Sequence, residues 1–309
     1  MHDLKKYIDL INSGELVAFP TETVYGLGAD AWNPSAIQKV FKTKGRPSDN
    51  PLIVHISKQD QLNDFVAEIP DSAQKLIDNF WPGPLTLVFK KRPKVLDLIT
   101  AGLDTVAIRI PDHDLALSLI SQTGPLVAPS ANKSGKPSPT KAEHVTADFG
   151  LDFPVIEGGS TEVGIESTVL DLTSKVPSIL RPGKIGKNEI EEVLGIEIRS
   201  ESTRTKQIPK SPGQKYSHYK PNADVFYGEI DSIKGDVLYL VQSDFGRSRT
   251  NVITYNGDLH LLSKELFDRF RQADLDHYSA VFIQNIDKYK TTHPSIYAAL
   301  INRINKAKV

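Results

Sequence analysis

Apolar positions change period repeatedly along the first two-thirds of the chain. The run 16–19 is continuously apolar and stops at Pro20, whereas Ile37, Val40 and Phe41 recur at the spacing of one helix face. Apolar runs at 85–89, 106–110, 126–128 and 168–172 predict further strands, and the patterns at 72–80 and 113–120 predict helices between them. Beyond residue 223, runs at 237–241, 252–255 and 281–283 predict buried strands. Helical spacing returns through Leu266, Phe267 and Phe270, and again through Ile296, Tyr297, Leu300, Ile301 and Ile304. Strand alternating with helix is the mark of an α/β protein.

Between these halves, residues 202–223 carry Arg204, Lys206, Lys210, Lys215 and Lys220, three prolines and no acid, which predicts a basic, extended linker. A chain of 309 residues exceeds the usual size of one core. The expected organisation is therefore a domain at 1–201, the linker at 202–223, and a smaller Rossmann-like domain at 224–309 that lacks a Gly-rich dinucleotide fingerprint.

Composition narrows the chemistry. Apolar residues make 39% and charged residues 24%, ordinary for a folded protein. The absence of cysteine excludes disulfides, thiolate zinc sites, iron–sulfur clusters and a cysteine nucleophile. No apolar leader or membrane-length stretch is apparent, so the expected location is the cytoplasm, without a membrane partner. The net charge of −1 means that any anion site must be local.

Local candidates exist. Pro20 to Gly28 follows a strand at once and offers Thr21, Thr23 and glycine backbone to a small polar ligand; it reads equally as a tight turn before a capped helix. Lys42, Lys44 and Arg46 crowd three cations after a helix, which suits a polyanion but also describes a solvated basic loop. His55 lies inside an apolar strand pattern, where a histidine is usually a core residue. Arg109 lies in a strand of apolar and β-branched residues and needs a partner, either a ligand carboxylate or an internal acid. The run from Ala128 to Thr140 is rich in hydroxyls and small residues ahead of a helix, as in a phosphate loop or a capped loop. Arg181 closes one strand, and Ser167 opens another. No Walker A sequence, metal-binding His pair or Ser-His-Asp order is present.

Taken together, "FPTETVYGLGADA", "KTKGRPSDNPLIVH", "WPGPLTLVF", "VAIRIPDH", "APSANKSGKPSPT", "GIESTVLD" and "ILRPG" resemble the motifs of the YrdC/Sua5 family, in order, from about Gly14 to Pro221. "SPGQKYSHYKP" resembles the linker of its two-domain Sua5 branch. The resemblance implies a twisted mixed YrdC-like sheet with helices and a concave site, joined through the linker to a smaller Rossmann-like α/β domain. It implies a nucleotidyltransferase that condenses L-threonine, bicarbonate or CO2 and ATP to threonylcarbamoyl-AMP and pyrophosphate, for N6-threonylcarbamoyladenosine in tRNA. Thr23, His55, Arg109 and Ser167 then resemble the threonine pocket, with Arg109 as carboxylate clamp. Arg46, Asn50, Thr105, Ser130, Asn132, Thr140, Arg181 and Tyr219 resemble the ATP site; Lys44 joins its phosphate cluster, and Lys44, Arg46 and Arg109 are the expected catalytic cations. Tyr219 would close over the nucleotide as part of a lid. Mg2+ is implied with ATP, held by phosphates rather than by a protein metal site. A downstream threonylcarbamoyl-transferase machinery and a weak contact with tRNA are the further partners implied. The chain departs from the family before its terminal helix, where a Gly-rich turn is missing. An RNA-binding module with regulatory ATP binding is the alternative of a different class; few aromatics near the loops weigh against it.

Overall fold

The computed structural model describes residues 4–200, 218–243 and 249–308, and within them thirteen strands form two sheets. The first contains β1 (Val17–Phe19), β2 (Gly26–Asp30), β3 (Ile53–His55), β4 (Leu85–Lys90), β5 (Thr105–Arg109), β6 (Leu126–Val127), β7 (Thr168–Asp171), β8 (Ser178–Arg181) and β9 (Arg199–Ser200). Their order is β1-β2-β6-β3-β5-β4-β7-β8-β9. Pairs β3–β5, β4–β7 and β8–β9 are parallel and the rest antiparallel, so the sheet is mixed.

Strand alternation sends neighbours to opposite layers. Ala18 and Leu27 join the layer of the helices Pro34–Lys44 and Asp71–Phe80, while Val17 and Phe19 pack with Leu119 and Ile120 on the other face. Both faces are covered, which is why these strands read as continuous apolar runs. The segment 20–28 contains part of a strand: β2 pairs with β1, Val17 opposite Gly28. A Cβ on Gly28 would come within 2.9 Å of the Phe19 ring, so glycine is required there and hides the strand from propensity.

The helix Pro34–Lys44 is delimited by its own residues. The Asn33 side chain accepts from the backbone of Ser35 and Ala36, and Pro34 occupies the first turn. Gly45 takes a left-handed φ of 60°, and the Arg46 amide returns to the Phe41 carbonyl at 3.0 Å. That turn directs Lys44 and Arg46 toward the carboxyl ends of the central strands.

The second sheet is parallel throughout, in the order β10 (Asp224–Gly228), β13 (Ala280–Gln284), β11 (Val237–Val241), β12 (Val252–Thr254). The helices Leu259–Leu275 and Pro294–Ala307 bury Leu266, Phe267, Phe270, Leu300 and Ile304 in one cluster with Val24, Val163 and Ile165 of the first unit. The contact is close: Gly164 has φ 78°, and a Cβ there would collide with the Lys264 backbone. Arg271 to Asp148 at 2.9 Å and Lys141 to Asp268 at 2.8 Å add a polar rim. No described helix is long and apolar enough to cross a membrane.

Candidate functional site

A cavity, partly open to solvent, lies where β3, β5 and β8 end, walled by the 128–135 loop and by His218 and Tyr219. Four cations from three segments converge on it: Lys44 and Arg46 from one helix end, Arg109 and Arg181, all buried except half-buried Arg46. Lys44 donates to the carbonyls of Ser130 at 2.5 Å and Asn132 at 2.6 Å. Burial, then Arg46, pulls its ammonium well below the ordinary lysine range. Arg46 donates to the carbonyls of Asn50 and Pro51, and burial followed by Arg181 lowers it to about 10. Arg181 donates to the carbonyl and hydroxyl of Ser167, both at 3.0 Å, and burial lowers it to about 10.

Arg109 stands in register with His55 across the parallel β3–β5 pair. Its Nε donates to the Gly83 carbonyl, one NH2 group donates to the Thr23 hydroxyl at 2.9 Å, and the other faces the carboxylate of buried Glu22 in an ion pair. Of the two partners left open by the sequence, the internal acid is therefore present. A guanidinium has five N–H donors, so these contacts leave two for a ligand carboxylate.

His55 Nδ1 lies 3.3 Å from the Ile53 carbonyl, an acceptor only, so this nitrogen carries the proton and Nε2 is an acceptor. Burial, then Arg109, lowers the ring to about 3. A histidine depressed when folded takes up its proton on unfolding, so stability is full above about pH 6.5 and declines as pH falls toward 3. The expected loss is on the order of several kcal/mol. Chemical denaturation across that range should show the acid limb, and His55→Gln should flatten it; an equal limb in the variant would remove His55 as its source.

Of the residues expected in the site, Thr23, Lys44, Arg46, His55, Arg109, Ser130, Asn132, Ser167, Arg181 and Tyr219 line the cavity. Three expected members do not. Thr105 opens β5, four residues from Arg109 and so about 13 Å along the strand. The Thr140 amide and hydroxyl face His144, behind the loop. Asn50 is fully buried beside Arg46, its carbonyl holding that guanidinium. Glu22 and Glu166 are residues at the site that the sequence did not single out; acids inside otherwise apolar or hydroxyl-rich motifs were the available signal. Of the expected lid, Tyr219 and Lys220 are placed, while residues 201–217, with Arg204, Lys206, Lys210 and Lys215, lie outside the described residues.

Buried polar atoms of cavity-lining residues have no hydrogen-bond partner among the described residues, including Arg46 Nε and Asn132 Oδ1. Such atoms cost about 1–3 kcal/mol each, and a polar ligand removes that cost. Among the described residues no group of three or more His, Asp or Glu could hold a metal ion, and Glu22 and Glu166 are already paired with arginines. The arrangement therefore suits a small anion-bearing ligand.

A family model described as "Telomere recombination" (Sua5_yciO_yrdC) matches residues 9–183, and one described as the threonylcarbamoyl-AMP synthase C-terminal domain matches 185–308. The chain belongs to the Sua5/YrdC family. A threonylcarbamoyl-AMP synthase of Pyrococcus abyssi is 42% identical over 96% of this chain and 91% of its own length, and one of Bacillus subtilis is 42% identical over 96% and 90%. The crystal structure of P. abyssi Sua5 complexed with L-threonine superposes with a TM-score of 0.89 at 40% identity, covering 99% of this chain and 94% of that one. E. coli YciO, 19% identical with a TM-score of 0.54 over 60% of this chain and 92% of its own, is similar in fold.

Proposed function

We propose that this chain is a threonylcarbamoyl-AMP synthase, a nucleotidyltransferase acting on L-threonine, bicarbonate or CO2, and ATP. The observation that carries the reading is the convergence of four cations and several hydroxyls on one cavity in a chain of this family. The threonine amine attacks CO2 and releases a proton; the resulting carbamate oxygen attacks the α-phosphorus in line, and its new bond replaces that to departing pyrophosphate. Neither step needs an enzyme nucleophile; both need positioning and neutralisation of growing negative charge.

Arg109, Thr23, His55 and Ser167 hold threonine, with neutral His55 accepting a hydrogen bond at Nε2. Lys44, Arg46, Ser130, Asn132 and Arg181 hold the nucleotide, and Tyr219 closes on it. Magnesium arrives as part of the ATP substrate, on phosphate oxygens. The product serves a cytoplasmic machinery that transfers the threonylcarbamoyl group to adenosine in tRNA. Pyrophosphate release should require threonine and bicarbonate together; release with ATP alone at the same rate would refute the condensation. Valine, which lacks the hydroxyl, should be rejected far more strongly than serine, whose missing methyl is worth about 1–3 kcal/mol. Comparable turnover of valine and threonine would contradict hydroxyl recognition.

A further inference from the structure

The most enclosed cation near the cavity belongs to the second unit. Arg303, on the terminal helix Pro294–Ala307, is fully buried, and its guanidinium reaches back across the interface. Nε donates to the Glu166 carboxylate at 3.0 Å, one NH2 group to the Glu166 carbonyl at 3.1 Å, and the other to the Pro182 carbonyl at 2.5 Å. Residues 166 and 182 immediately adjoin Ser167 and Arg181, which are hydrogen-bonded to each other in the cavity wall. The same guanidinium lies 5.8 Å from the centre of the Tyr219 ring. The other Glu166 oxygen accepts from the Ser138 hydroxyl at 2.5 Å, tying in the 128–140 loop.

We infer that Arg303 is a positioning residue for the nucleotide site: the second unit fixes Glu166, Pro182 and Tyr219 together, and the site is incomplete without it. The inference rests on the proposed ATP-dependent reaction. Arg303 thus ties the segments that carry Ser167, Arg181 and Tyr219 to a single group. A planar fork with donors on three sides does what a flexible ammonium cannot. Burial alone would raise the Glu166 carboxyl; Arg303 first, then Arg181 and Ser138, hold it at about 2. Tyr219, His218, Lys44 and Lys306 also face this group. Without Arg303, Glu166 is a carboxylate beside the phosphate-binding cations with its main counter-charge gone.

The test compares full-length wild type, Arg303→Met, Arg303→Lys and Arg303→Met/Glu166→Gln. ATP binding is measured by calorimetry from pH 6 to 8 and turnover separately. Arg303→Met should weaken ATP binding about tenfold or more at pH 8. The deficit relative to wild type should shrink toward pH 6 as Glu166 protonates, and the double variant should recover most of it at every pH. Arg303→Lys, which keeps the charge and loses the fork, should weaken binding severalfold with the wild-type pH slope. A purely structural arginine would lower the unfolding midpoint of Arg303→Met and leave its ATP affinity and pH slope at the wild-type values. That result overturns the inference, and should Arg303→Met not fold, wild-type affinity in Arg303→Lys overturns it equally. Because ATP affinity is read apart from product, a wild type that makes no threonylcarbamoyl-AMP would remove the proposed reaction while the affinity comparison still decides the role of Arg303.

Discussion

Replacing Lys44 by methionine is expected to lower turnover about 10²- to 10³-fold, the range found when one preorganised donor to developing charge is removed. Methionine keeps most of the stem in its buried channel, so the variant should fold. What it loses is an ammonium already aimed by the Ser130 and Asn132 carbonyls and shielded from water. Such a charge needs no reorganisation when pyrophosphate departs, so the loss should fall on kcat more than on the KM for threonine. Burial and Arg46 depress the ammonium in the free protein, and phosphate oxygens restore it. Nucleotide binding should therefore take up a proton and weaken as pH rises. Calorimetry in buffers of different ionisation enthalpy reads that uptake directly, and its persistence in Lys44→Met would assign it elsewhere.

Arg109→Met should fail in two separable ways. Glu22 is buried and pairs with this guanidinium, so removing the cation strands a carboxylate and should cost about 3–5 kcal/mol of stability. Threonine affinity should fall about ten- to a hundredfold through loss of a charge-assisted pair. Arg109→Met/Glu22→Gln should regain most of the stability and none of the affinity. Recovery of threonine binding in the double variant would mean that Arg109 only neutralises Glu22.

The division between legible and hidden features follows from range. Lys44 and Arg46 were readable because a helix period ends beside them at a glycine, and Arg109 because a charge in an apolar strand needs an explanation. Residues close in sequence to such signals were less secure. Thr105 shares a strand with Arg109, but a strand advances about 3.3 Å per residue and carries it away from the cavity. Strand β2 was hidden because close packing on Phe19 demands glycine, which lowers strand propensity. The Glu22 pairing spans 87 residues and the Arg303 to Glu166 contact 137, and a single sequence gives no register between such distant segments. The apolar runs for β10 and for the helix Lys5–Asn12 are similarly weak, because each is partly exposed at an edge or surface.

Threonine, bicarbonate and ATP should be joined in this one cavity. Mass spectrometry of the nucleotide formed from threonine, ATP and 13C-bicarbonate tests it most directly. The expected product is an AMP adduct carrying threonine and one carbonyl, with the label in that carbonyl and the adduct lost in Lys44→Met. AMP without an adduct, or threonyl-AMP without the labelled carbonyl, would contradict it.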